Sequence, residues 1–220
     1  MAQNTSHAVM AQRHEVHDSL DDFPTQPWAT RALCEHVLPK ADLQARSVWE
    51  PACNRGHMVR PLQEYFRRVY ASDIHDYGFQ FDGQERVVDF LFPFSTSPSM
   101  DANGVDWVIT NPPFRLAEQF IARASQVAKV GFAVIVRTSF LEGVGRYTNL
   151  FSKNPPSIIA QFSERVPMVK GRLTATGSTA TAYCWLVWID GEPNTRFVWI
   201  PPCRRQLERE GDYPVAEVAA

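Results

Sequence analysis

One stretch limits the fold more than any other: Val105 to Phe114. Val105, Trp107, Val108 and Ile109 are residue types that a buried parallel strand uses. The run then halts at Asn111-Pro112-Pro113-Phe114. Two prolines cannot continue a parallel ladder, since neither has an N–H to donate. A residue before proline is pushed toward an extended conformation. The sequence therefore places a stiff peptide just past the carboxyl end of a strand. Open α/β sheets bind ligands in the crevice at that end. An Asn amide oxygen and a backbone carbonyl held side by side can accept both hydrogens of one NH2 group. Accepting both localises a lone pair that a flat exocyclic amine otherwise delocalises. An adjacent aromatic ring, Phe114, can stack on the group being held.

The rest of the chain alternates strands and helices. Trp28 to Leu38 has helical spacing, with Thr25 or Gln26 to cap it and Pro39 after it. Ser47–Glu50 reads as a strand. The turn Pro51-Ala52-Cys53-Asn54-Arg55-Gly56-His57-Met58 follows, then a helix from Val59 to Phe66. Strand, small-residue turn and helix suit a nucleotide-like ligand, because the backbone can approach it closely. Arg68–Asp73 reads as a second strand ending in an acid, 23 residues after Glu50. That is close to the spacing of about 20 at which such an acid meets ribose hydroxyls. Arg86–Phe90 reads as a third short strand and Leu91–Gly104 as a loop. Leu116–Ala128 reads as a crossover helix and Val130–Val136 as a buried strand. This alternation is the doubly wound signature.

From Ser139 to Thr181 glycines and prolines break the pattern. Ala182–Ile189 and Arg196–Ile200 then read as a hairpin across Asp190–Asn194, and Arg204–Glu210 as a short charged helix. Tyr183, Trp185, Trp188 and Trp199 read as core.

Asn-Pro-Pro-Phe resembles the catalytic motif of S-adenosylmethionine-dependent amino-methyltransferases, chiefly DNA adenine-N6 enzymes, and the order of motifs along residues 22 to 205 looks most like the small phage and prophage type. Glu50-Pro51-Ala52-Cys53-Asn54-x-Gly56 resembles their cofactor loop. Asn54 stands where the first Gly is usual, and Asn tolerates the left-handed conformation next best. Phe23-x-Thr25-x-Pro27 before a helix resembles their first cofactor-side motif. Glu164–Pro167 and Gly177–Thr181 also look like that group.

The resemblance implies a mostly parallel, Rossmann-like class I methyltransferase sheet with an antiparallel C-terminal hairpin. It implies S-adenosylmethionine against Phe23, Thr25, Glu50, Pro51, Ala52, Cys53, Gly56, Asp73, Ile74, Asp89, Phe90 and Asn111. Glu50 and Asp73 are to bond ribose-side groups, Ile74 is to cover the adenine, and Asp89 and Phe90 are to flank it. Asn111, Pro112, Pro113 and Phe114 are to hold a flipped-out adenine in double-stranded DNA. Cytosine N4, RNA or a protein glutamine as target, and a cofactor-binding subunit without catalysis, are the alternatives.

Length and charge set looser bounds. The 220 residues suit one domain. Its span is expected over 22–205, with a disordered N-terminal tail at 1–21 and a C-terminal tail at 206–220. Net charge is −2, yet from Arg137 to Glu210 ten Lys or Arg stand against six Asp or Glu. Segment 139–181 is thus the expected substrate-facing loop, with Arg146, Arg165, Lys170 and Arg172 on DNA phosphates. The four cysteines form no Cys-x-x-Cys pair, so no zinc site is expected, nor any other metal. His7, His14 and His17 read as part of a solvated tail. No apolar run reaches the ~20 residues of a membrane span. The expected location is the cytoplasm, and a homodimer is compatible with this reading.

Overall fold

The structure is a computed structural model that describes residues 21–78, 87–92, 104–177 and 179–213. Its centre is a seven-stranded sheet: β1 (Ser47–Glu50), β2 (Arg68–Ala71), β3 (Val105–Thr110), β4 (Ala128–Arg137), β5 (Ile158–Phe162), β6 (Tyr183–Ile189) and β7 (Arg196–Ile200). The strand order is β2-β1-β3-β4-β6-β5-β7. The pairs β2–β1, β1–β3, β3–β4 and β5–β7 are parallel, whereas β6 runs antiparallel to both β4 and β5. The helices are α1 (Pro27–His36), α2 (Lys40–Leu43), α3 (Val59–Gln63), α4 (Ala117–Val127), α5 (Val144–Arg146) and α6 (Arg204–Leu207).

The central strands are apolar on both faces, so their alternation feeds two cores rather than one core and solvent. Trp107, Ile109, Ala133, Ile135, Trp185 and Val187 face one core, together with Trp28, Leu33 and Leu62 of the flanking helices. Val108, Phe132, Val134, Leu186 and Trp188 face the other, where Phe120, Ile121 and Ala124 of α4 cover them. Gly131 is dictated by this packing. A Cβ there would collide with the Trp188 carbonyl and the Trp107 ring.

Four details differ from the sequence reading. The hairpin between the last two strands is not formed, because β5 inserts between β6 and β7. Ser157 ties the β6–β7 turn to the start of β5. Its hydroxyl donates to the Glu192 carbonyl at 2.6 Å and accepts from the Ile189 N–H at 3.0 Å, while Thr195 Oγ1 donates to the Pro156 carbonyl. The turn thereby crosses the start of β5. Second, Val88–Phe90 is not a strand. Val88 N–H reaches the Asp73 carbonyl, and the chain then turns at Phe90–Leu91. Third, Trp199 is 65% exposed and not core, whereas Tyr183, Trp185 and Trp188 are buried. Fourth, Gln26 precedes α1 but makes no side-chain cap; it donates instead to the carbonyls of Pro167 and Thr174.

Residues 1–20, 79–86, 93–103, 178 and 214–220 lie outside the described residues, and with them His7, His14, His17, Arg86 and Ser178. Past residue 205 the chain stays attached to the body. The Arg31 guanidinium, buried in α1, donates to the Leu207 carbonyl, to both oxygens of Asp212 and to Glu64. Among the described residues no helix is long and apolar enough to cross a membrane.

Candidate functional site

The chain leaves β1 for β2 on one side and crosses later to β3 on the other. The sheet's switch point therefore lies between the carboxyl ends of β1 and β3, where a crevice must open. A cleft of about 860 Å³, including its open mouth, occupies that place. Five segments wall it: 21–25, the turn after β1, 73–77 after β2, 88–91, and the residues after β3. Phe23, Thr25, Pro51, Ala52, Cys53, Asp73, Ile74, Asp89, Phe90, Asn111 and Pro113 all line it.

The turn after β1 has the shape the sequence suggests. Asn54 has φ 49° and Gly56 φ 77°, so Asn takes the left-handed conformation in the place of a glycine. Side-chain bonds hold it there. Asn54 Nδ2 donates to Asp22 at 2.7 Å, and its Oδ1 accepts the Arg55 N–H. The Asn54 N–H donates to Asp73 Oδ2 at 2.9 Å, which ties the turn to the end of β2. Asp73 Oδ1 takes the His75 N–H at 3.0 Å. Burial raises the Asp73 carboxyl above its ordinary range, with those backbone donors opposing it.

Glu50 and Gly56 stand behind the lining rather than in it. Glu50 is fully buried; its Oε1 accepts from Thr110 Oγ1 at 2.6 Å and from the Ala52 N–H at 3.0 Å. Burial outweighs these donors and pushes the carboxyl up to about 8, while Oε2 has no partner. Glu50 thus ties the turn to β3 through Oε1. His57 lines the cleft with a buried, unpartnered Nδ1, and burial lowers its ring to about 4, so the ring is neutral at pH 7. Burial also pushes the Cys53 thiol well up, which leaves it a poor nucleophile.

Asn111 follows β3 as the sequence implies. Its Nδ2 donates to the Phe23 carbonyl at 2.8 Å and lies 4.0 Å from Met168 Sδ, whereas its Oδ1 is buried without a partner. The amide orientation is thereby set, with its acceptor unused at the cleft wall. Phe114 lies beside Phe23, with ring centroids 5.2 Å apart, and its N–H donates to Asp21. The Arg137 guanidinium lies over the Phe114 ring, 4.1 Å from its centroid. Phe90 packs edge-on to Trp49 and against Phe120, so it is more wall than free face.

The four cations picked from the sequence divide. Arg165, Lys170 and Arg172 are exposed on the segment after β5. That segment is tied to the cleft rim by Gln26 and by the Gly171 N–H on the Asp22 carbonyl. Arg146 is committed elsewhere. It pairs with Glu118, donates to the Phe140 and Glu142 carbonyls and covers the Phe140 ring. Asp21, Asp22, His57 and Arg137 were not picked out. Arg137 alone left a signal: a charge directly after an apolar strand, as Asn111 is a polar residue directly after one. Among the described residues no group of three or more His, Cys, Asp or Glu could hold a metal.

No family model matches the chain, and no curated protein matches it. Solved structures do. A type I restriction-modification methyltransferase subunit from Streptococcus thermophilus superposes with TM-score 0.58 at 11% identity, over 87% of this chain and 50% of that one. The M protein of the type I restriction enzyme EcoKI gives 0.55 at 12% identity, over 84% and 49%. A modification subunit attributed to a type I restriction enzyme from Vibrio vulnificus gives 0.52 at 16%, over 81% and 47%. The chain spans about half the length of each. At these identities the likeness is one of fold: a Rossmann-like, mostly parallel sheet with antiparallel pairs toward its C-terminal end.

Proposed function

We propose that this chain transfers a methyl group from S-adenosylmethionine to the N6 amine of adenine in double-stranded DNA, with the target base turned out of the helix. The observation that carries the reading is the Asn111 side chain. A buried acceptor left unmade costs about 1–3 kcal/mol. Asn111 Oδ1 is such an acceptor, at the wall of a cleft, with its own NH2 already consumed by Phe23. What it lacks is a donor from outside the chain, and an exocyclic amine is one.

The cleft fits the cofactor. Thr25 Oγ1 is a buried, unpartnered group of the lining, Glu50 Oε2 is another just behind it, and Asp73 stands at the end of β2 for ribose hydroxyls. Ile74, Val88 and Phe90 supply apolar wall for a purine. S-adenosylmethionine, when bound, supplies a methyl group already activated by its sulfonium. The residues of the chain do the rest. Asn111 Oδ1 and the Pro112 carbonyl each accept one amine hydrogen, which turns the nitrogen lone pair toward the methyl. The same two oxygens stabilise the positive charge the nitrogen gains as it attacks. A base inside a duplex cannot present its amine in this way, so it must be flipped out. Phe114 stacks on it. Cys53 takes no covalent part, since its thiol stays protonated at neutral pH.

The neighbours of like fold include type I restriction-modification methyltransferase subunits, one of them bearing the number EC 2.1.1.72, which supports DNA as substrate. Arg165, Lys170 and Arg172 then meet phosphates, while Arg146 serves as a brace. The test is methyl transfer from labelled cofactor to duplex DNA, RNA and protein in parallel, followed by nucleoside analysis of the product. N6-methyladenine in DNA supports the reading. Label in N4-methylcytosine, RNA or glutamine, or none in any substrate, overturns it.

A further inference from the structure

We infer that Arg137 is a DNA-binding residue of this site, one that covers the empty base seat and grips a backbone phosphate once the seat is filled; this rests on the reading above. Arg137 is the last residue of β4, the strand beside β3. Both strands end at the same edge of the sheet, so its side chain emerges next to the Asn111–Phe114 peptide. The guanidinium lies over the Phe114 ring at 4.1 Å.

Phe114 is held from its other sides. Phe23 leans on it at 41°, and its N–H is bound by Asp21. Phe23 in turn packs on the core and fixes Asn111 through its carbonyl. The side chain able to yield a ring face is therefore Arg137, which is exposed and long.

A flat ring face holds one stacked group at a time, so a base on that face displaces the guanidinium. It does not settle on the far side of the base, because the attacked amine gains positive charge there and a cation stacked on it would oppose the reaction. The nearest anions that arrive with the substrate are the phosphates flanking the flipped nucleotide. An arginine freed at the mouth pairs with them in charge-assisted hydrogen bonds. The cation–π contact thus keeps the seat closed to water in the free protein, and the phosphate contact replaces it on binding.

The test compares Arg137→Ala and Arg137→Lys with the wild type in duplex binding from 50 to 300 mM salt and in steady-state methylation. Binding of S-adenosylmethionine serves as the folding control. Arg137→Ala is expected to flatten the salt dependence by about one unit of slope. It should raise KM for DNA roughly 3- to 10-fold, the effect of removing a single phosphate partner, with kcat little changed. Arg137→Lys, which keeps the charge without the plane, is expected to restore most of both. An unchanged slope in Arg137→Ala overturns the proposal. So does a lysine variant as defective as the alanine, which would assign the residue to stacking on the base. A wild-type chain that binds duplex but transfers no methyl defeats the earlier reading, and the salt slopes then still decide on Arg137.

Discussion

Replacing Glu50 by Gln should change the pH dependence of stability in one direction. Glu50 is fully buried and its carboxyl is pushed from 4.5 up to about 8. Between those values the folded chain keeps a proton that the unfolded chain has released. By linkage, stability then falls as pH rises through the window; the full contribution is present below 4.5 and gone above about 8. At about 1.4 kcal/mol per pH unit, the window sets an upper bound of about 5 kcal/mol. Gln preserves the acceptor that takes the Thr110 hydroxyl and the Ala52 N–H, but cannot ionise. Urea unfolding of both proteins at pH 5, 6, 7 and 8, without cofactor, measures the difference. The wild type should lose stability relative to Glu50→Gln by several kcal/mol from pH 5 to 8. Taking the difference cancels Asp73 and the other titrating groups. Parallel curves within about 0.5 kcal/mol would refute the reasoning, since a Glu50 that ionises freely is not the dry clamp described here.

Asn54→Gly relieves a left-handed backbone at φ 49° but removes the bond to Asp22 and the acceptor for Arg55. The charge-assisted bond outweighs the relief, so the variant should be less stable by about 1–2 kcal/mol in the same urea assay, and a gain in stability would contradict this. Asp73→Ala should weaken S-adenosylmethionine at least about tenfold by calorimetry with chelator present, as the loss of a charge-assisted pair of hydrogen bonds. An unchanged affinity would move the cofactor out of this cleft. Neutralising Arg165, Lys170 and Arg172 together should flatten the salt dependence of duplex binding by about three units of slope. An unchanged slope would mark them as an ordinary solvated surface.

What was legible in the sequence was what local chemistry enforces. Two prolines after a buried strand end it wherever the strand lies, so the Asn111–Phe114 peptide stands at the crevice. Asn54 was readable because few residues tolerate its backbone conformation. What failed depended on partners far along the chain. Asp190-Gly191 between two apolar runs signals a hairpin, but Ser157 and Pro156 capture that turn and β5 enters between the strands. β5 itself, with its alternating burial, lay hidden among prolines and glycines. The bond that ties Glu50 to Thr110, 60 residues on, left no signal either. The Arg146 brace likewise depends on Glu118 and on carbonyls that no spacing reveals.

The central claim is that the unused Asn111 oxygen activates the target amine. Its most direct test is single-turnover methylation of a duplex substrate of the wild-type chain, comparing Asn111→Ala with the wild type. The Oδ1 contact is made chiefly in the transition state. The variant should therefore bind S-adenosylmethionine and DNA nearly normally while losing most of the rate, on the order of 10²–10³-fold, as for removal of one preorganised polar group. Methylation by Asn111→Ala at the wild-type rate, with both ligands bound, would contradict the account.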